Sequence, residues 1–221
     1  MGMIEEIGPG RADLRERRLA DRHPELQPEK RQQVLQYCAR FEAAAWLCVK
    51  WNTLEAGDFR GYRLKVYGLV ENPVELSLDD LRALGKETRI TLHHCIQGWS
   101  GIAEWGGVAL AQLVRLVRPR PQVGAVIFYS FGEGAEGGQF YDSLAIENAL
   151  HPHTLLAYEM NYEPLGHLHG APLRLRVENQ LGFKMVKWIR AIEFVESARS
   201  INQGEGGYNE DHEYFGELAN I

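Results

Sequence analysis

The chain has 221 residues, of which 45% are hydrophobic and 24% charged, and its formal net charge is −6. This composition suits one globular domain with a substantial core, and the charge argues against a nucleic-acid binder driven by bulk electrostatics. No run of about 18 apolar residues is present, so no membrane span is expected.

Three cysteines, Cys38, Cys48 and Cys95, are too few for a disulfide scaffold, and their odd number suits a reducing compartment. The Arg17-Arg18 pair is followed by Leu19-Ala20-Asp21-Arg22-His23-Pro24-Glu25 instead of an apolar stretch. No export signal is expected from it, and the location expected is cytoplasmic.

Residues 1–45 read as an N-terminal arm, charged at first, with helices at about 12–22 and from Pro28 to about Phe41. Cys38 falls at helical spacing with Val34 and Leu35, and Cys48 lies in the apolar stretch Ala43–Trp51; both read as packing residues. Residues 46–196 form the expected domain. Tyr62–Val70 alternates as a strand, Glu71-Asn72-Pro73 turns it, and Ser77 caps a short helix over Leu78–Leu84 with Asp79 and Asp80 in its first turn.

Arg89–His94 alternates into Cys95, and Ile96-Gln97-Gly98-Trp99 follows at once, which places a thiol at the end of a strand. Val108–Leu116 is an amphipathic helix stopped by Pro119 and Pro121. Val123–Phe131 and Gln139–Asp142 form a hairpin broken by the glycines of 132–138, and Ser143–Leu150 is a short helix. Two acidic residues among those glycines, with no Lys-Ser/Thr and no helix directly after them, argue against a phosphate-binding loop. Leu155–Met160, Leu173–Val177 and Trp188–Phe194 read as further strands. The tail, Ser197–Ile221, carries five acidic residues and one basic one among interleaved aromatics, and reads as a wrapping segment of the same domain.

Three kinds of chemistry compete. His93, His94, Cys95, His151, His153, His167 and His169 could supply zinc ligands. No CxxC or HExxH spacing accompanies them, however, and adjacent strand residues such as His93 and His94 point to opposite faces. Cys95 could instead be a nucleophile paired with one of the histidines. The third constellation is Arg174, Lys184 and Lys187, three cations suited to a phosphate.

The residues that carry a resemblance run through the same stretches. They are Gly68-Leu69-Val70-Glu71-Asn72-Pro73, Cys95-Ile96-Gln97-Gly98-Trp99-Ser100 with Trp105-Gly106-Gly107-Val108, and Leu155–Asn161. His169–Arg174, then Gly182-Phe183-Lys184 with Val186-Lys187-Trp188, complete the set. In order and spacing, over about residues 60–195, they resemble the sulfite oxidase-type molybdopterin family.

The resemblance implies an α+β fold, a mixed β-sheet or barrel core with surrounding helices. It implies a molybdopterin cofactor without haem, with Cys95 as the thiolate ligand to molybdenum. His169 and Arg174 would contact pterin and phosphate, and Met185, Val186 and Lys187 would close over the pterin. Lys184 joins the basic anchors, and Asn52, Glu55 and Ser130 fall near further cofactor contacts. The activity implied is oxygen-atom transfer on a small sulfur- or nitrogen-containing substrate with a redox partner not identified by the sequence. The alternative is a non-catalytic carrier or interaction module on the same fold. His93, His94 or Gln97 would line the substrate pocket, and strand parity alone does not choose among them.

Overall fold

The computed structural model describes residues 27–29, 46–47, 49–95, 98–133 and 139–201. The proposed arm apart from residues 27–29, Cys38, Cys48, Ile96, Gln97, the glycines of 134–138 and the tail beyond Ile201 lie outside the described residues.

In chain order the elements are β1 (Trp46–Leu47), α1 (Val49–Ala56), β2 (Leu64–Gly68), β3 (Val74–Leu76), α2 (Leu78–Ala83), β4 (Glu87–His94) and β5 (Ser100–Ala109). They continue with α3 (Leu110–Val117), β6 (Ala125–Glu133), β7 (Gln139–Ala145), α4 (Ile146–Ala149), β8 (Leu155–Met160), β9 (Glu163–Pro164), β10 (Arg174–Arg176) and β11 (Ile189–Val195). Short 3-10 turns cover His167–His169, Gly182–Lys184 and Ala198–Ser200.

Two sheets result. The first has the order β1-β6-β11-β2-β3 with β7 also paired to β6, and β11 runs parallel to β2 while its other neighbour, β6, is antiparallel. The second has the order β10-β8-β5-β4 with β9 on β8, all antiparallel. This is the mixed α+β architecture that the resemblance implied.

The alternation of β2 does what the sequence reading expects: Leu64 and Val66 are buried while Lys65 and Tyr67 face out. Ser77 accepts from the Asp80 amide while Asp80 Oδ2 accepts from Ser77 N at 2.8 Å, a reciprocal capping box. In α3, Leu110, Leu113, Val114 and Val117 repeat at helical spacing and are buried in the shared core.

Several expected boundaries move. Val108 and Ala109 belong to β5, because they continue its ladder opposite Leu156 and Leu155. Ser143–Ala145 extend β7, leaving only Ile146–Ala149 as helix. Trp188 is excluded from β11 by a left-handed φ of 53°.

The return strand β5 is what fixes the thiol. β4 and β5 pair from Glu87↔Gly107 to His94↔Ser100, and Cys95 N donates to Trp99 O at 2.9 Å, one bond beyond the strands. At the other end of β5 the glycines permit close sheet packing. A Cβ on Gly107 would lie 2.2 Å from Leu156 O and 2.7 Å from Ala157 Cα, both backbone atoms of β8. Backbone cannot swing aside as a side-chain tip can. Gly107→Ala is therefore expected to cost about 3 kcal/mol, the upper end of ordinary overpacking, read as a lower urea midpoint with unchanged slope.

Candidate functional site

Three segments converge at the carboxyl end of β4. The first is the end of β4 itself. Among its residues, His93 is buried and His94 points to the opposite face, where its Nδ1 lies 2.9 Å from Ser100 Oγ. Cys95, a half-buried free thiol, follows. The opposite orientations of the two histidines agree with strand parity, and among the described residues no group of three or more His, Cys, Asp or Glu could hold a metal ion. His94 lines an outer groove of about 650 Å³ with Thr91, Leu92, His153 and Glu178, whereas His93 lies inside the protein.

The second segment is β10 with the turn before it. Arg174 and Arg176 alternate on one face of the strand, and both guanidinium groups lie over the buried Trp105 ring, at 4.8 and 4.5 Å from its centroid. Arg176 is matched by Glu178, with Nε to Oε1 and Nη2 to Oε2 both at 3.2 Å. Arg174 donates Nη1 to the His169 carbonyl at 3.0 Å. Its Nε is buried with no hydrogen-bond partner, and no carboxylate pairs with it among the described residues. Burial first, and then the neighbouring Arg176, work against its charged form more than Glu178 supports it, so the position favours an anion.

The third segment, Gly182–Trp188, clasps the second. Leu175 N donates to Val186 O, Ile189 N to Leu173 O, and Lys187 Nζ to Leu168 O at 2.7 Å. Trp188 Nε1 donates to His167 O at 2.8 Å. Ser130 Oγ donates to Lys187 O and accepts from Gly132 N, both at 2.8 Å, so it holds the lysine's backbone. Helix α1 is pinned to the same turn by Trp51 Nε1 donating to Ala171 O at 2.7 Å. Glu55 faces His167 at 3.2 Å, and Asn52, one helical turn before it, is exposed.

The cation cluster differs from the expected one. Lys184 is buried and paired with Asp142 at 2.5 Å, so its charge is matched inside the protein. The third cation beside Arg174 and Lys187 is Arg176, which the sequence reading does not single out. The signal was present: in Leu173-Arg174-Leu175-Arg176-Val177 an arginine two residues on shares a strand face.

His93, named above as a possible zinc ligand or pocket residue, is buried and meets Arg176. Arg176 Nη1 lies 2.8 Å from its Nδ1, and its ring stacks on Trp99 at 5.1 Å. Burial, then Arg176 and Arg174, push its pKa from 6.5 down to about 3. The neutral ring therefore contributes stability fully present above pH 6.5 and lost as pH falls toward 3, because only the unfolded chain takes the proton there. The slope from this residue is at most about 1.4 kcal/mol per pH unit. Urea unfolding of cofactor-free protein between pH 4 and 7 should show that slope reduced in His93→Asn.

The sequence profile of the family described as "Oxidoreductase molybdopterin binding domain" matches residues 45–202. The putative protein-methionine-sulfoxide reductase subunit YedZ1 of Azospira oryzae is 35% identical over 157 residues, covering 71% of this chain and 55% of that protein. The protein-methionine-sulfoxide reductase catalytic subunit MsrP of Xanthomonas campestris is 35% identical over 145 residues, covering 61% and 45%. The chain thus spans about half the length of these relatives. Among solved structures, the sulfane dehydrogenase SoxCD of Paracoccus pantotrophus superposes with a TM-score of 0.55 at 25% identity, over 63% of this chain and 40% of that one. With a profile match running from β1 through β11, the chain belongs to the sulfite oxidase-like family of molybdopterin-binding oxidoreductases.

Proposed function

We propose that this oxidoreductase transfers an oxygen atom at a small sulfur- or nitrogen-containing substrate, with an S-oxide as the favoured class. The observation that carries the reading is the half-buried Cys95 thiol at the end of β4, beside a buried arginine pair of which only one member has a carboxylate. That arrangement fits a metal-bearing cofactor with an anionic tail. The relatives' names add the sulfur chemistry, since they include methionine-sulfoxide reductase subunits and a sulfane dehydrogenase.

In this reading Cys95 supplies a thiolate to molybdenum, a soft ligand of the kind such a metal accepts. Arg174 and Lys187 bind the phosphate, Arg174 through its buried Nε and Lys187 as a mobile point charge. Buried His169 and the Met185–Val186 backbone would contact the pterin, as would the exposed Asn52 and Glu55 of α1. Ser130 acts indirectly, through the Lys187 carbonyl. The cofactor, when bound, supplies the redox centre, and the protein supplies binding, orientation and exclusion of water. Reduction of an S-oxide releases its oxygen as water and consumes two electrons and two protons, the electrons arriving from an external donor.

Protein purified from a host that makes molybdopterin should carry stoichiometric molybdenum and reduce S-oxides with a reduced viologen dye as donor. A preparation loaded with molybdenum that turns over neither S-oxides, N-oxides nor sulfite would overturn the proposal.

A further inference from the structure

The end of β4 is tied to the buried arginine pair in a way that none of the roles above uses. Arg176 is fully buried and makes contacts on every side of its guanidinium. Glu178 takes Nε and Nη2, the Trp105 ring lies beneath, Met185 Sδ is 2.6 Å from Nη1, and Thr91 Oγ1 is 3.3 Å from Nη2. Two of its partners, Thr91 and His93, are alternate residues of β4 and so share one face of that strand. Continued by one more step, that alternation reaches Cys95.

His93 is the nearer link. An arginine can only donate, so His93 Nδ1 must accept from Nη1 at 2.8 Å, and the ring's proton is on Nε2. One face of the ring stacks on Trp99 with an interplanar angle of 28°. The Cε1–Nε2 edge abuts Gly182, where a Cβ would come within 2.3 and 2.4 Å of those atoms. The ring is therefore held by Arg176 at one nitrogen, by Trp99 across its face and by Gly182 at its far edge. Trp99 in turn accepts the Cys95 amide at its carbonyl, and Gly98 N donates to Cys95 O at 3.0 Å. Trp99, whose carbonyl holds the Cys95 amide, is thus stacked on an imidazole whose orientation Arg176 fixes.

We infer that Arg176 is a positioning residue for the Cys95 thiolate, acting through the His93 ring and the Trp99 turn that rests on it. This rests on the reading of Cys95 as the metal ligand. In that role Arg176 differs from Arg174. Arg174 offers a buried donor to an anion, whereas Arg176 is neutralised by Glu178 and its remaining contacts are Thr91 and His93 of β4 and Met185 Sδ. One strand, β10, then serves both ends of the cofactor: its first arginine faces the anion and its second sets the direction of the sulfur. Residues that orient a ligand in this way ordinarily matter about 10- to 100-fold to metal affinity or activity.

The test uses Arg176→Met, His93→Leu and His93→Asn in the full chain. Asparagine keeps an acceptor close to the Nδ1 position, and leucine removes it. In loaded protein, Arg176→Met and His93→Leu should lower kcat about 10- to 100-fold with little change in KM. Both should also shift the thiolate-to-molybdenum absorption bands and the Mo(V) electron paramagnetic resonance spectrum. In cofactor-free protein the same two variants should alkylate Cys95 faster than wild type, and His93→Asn should restore the slower rate. Unaltered spectra and alkylation rates in Arg176→Met, or in both His93 variants where Arg176→Met does not fold, would overturn the inference. If Cys95→Ser itself leaves the molybdenum bands unchanged, the ligand assignment has failed and the inference falls with it; bands lost in Cys95→Ser but untouched in the others refute Arg176 alone.

Discussion

Cys95→Ser is expected to lower turnover by more than about 100-fold, beyond the loss that disturbing a residue behind a ligand produces. An alcohol is a harder and far less acidic donor than a thiol, so it does not replace an anionic sulfur on a metal otherwise bound through sulfur. The fold should be spared. Cys95 is half-buried, belongs to no strand, and its backbone bonds to Trp99 and Gly98 do not involve the side chain. Circular dichroism and urea unfolding should match wild type while the thiolate absorption disappears. A Cys95→Ser protein with wild-type turnover and full molybdenum content would remove the basis for placing the metal here.

The largest effect on stability is expected at Lys184. Its ammonium and the Asp142 carboxylate are 1% and 2% exposed and 2.5 Å apart. Lys184→Met leaves a buried carboxylate without its cation, which costs about 3–5 kcal/mol. Asp142 Oδ1 also accepts from the Ser143 amide at 2.8 Å, so the companion change should preserve that acceptor. Lys184→Met combined with Asp142→Asn should recover most of the loss, because no buried charge then remains. Urea unfolding of cofactor-free protein decides the matter. A lysine whose work is to hold a phosphate would leave that stability unchanged when replaced and would show its effect only in the loaded protein.

The contrast between Lys184 and Arg176 shows where the sequence was readable. Alternation placed β2 and β4, and parity separated His93 from His94, because both depend only on neighbouring residues. The N-cap at Ser77 was equally local. Basic residues near the chain positions of an anion site could be seen too, but their charge partners could not. Asp142 is 42 residues from Lys184, and His93 is 83 residues from Arg176. Only the packing of β7 and β4 against the 174–187 region tells a neutralised lysine from one available to a ligand. The glycines of Trp105-Gly106-Gly107 hid the return strand for a similar reason. Glycine is a poor strand former taken alone, and the close approach of β8 that requires it is a tertiary fact. Within the matched family segments, Cys95 and Arg174 could be picked out as candidates from local sequence. The distant side chains that pack around β4 and β10 could not.

The clasp between distant segments also governs when the site can exist. Trp51 reaches Ala171 across 120 residues, and Tyr62 Oη bonds Ile189 O across 127. The parallel pairing of β11 with β2 spans a similar length of chain. Loops of that size close late and slowly, since their entropy must be overcome before any contact between their ends is rewarded. During synthesis, β4 and its thiol therefore emerge well before β10 can bring arginines to them, and long before β11 completes the first sheet. Until then the chain has a cysteine but no arginine pair packed near it, so in the reading proposed above cofactor loading waits until β10 has been made and packed.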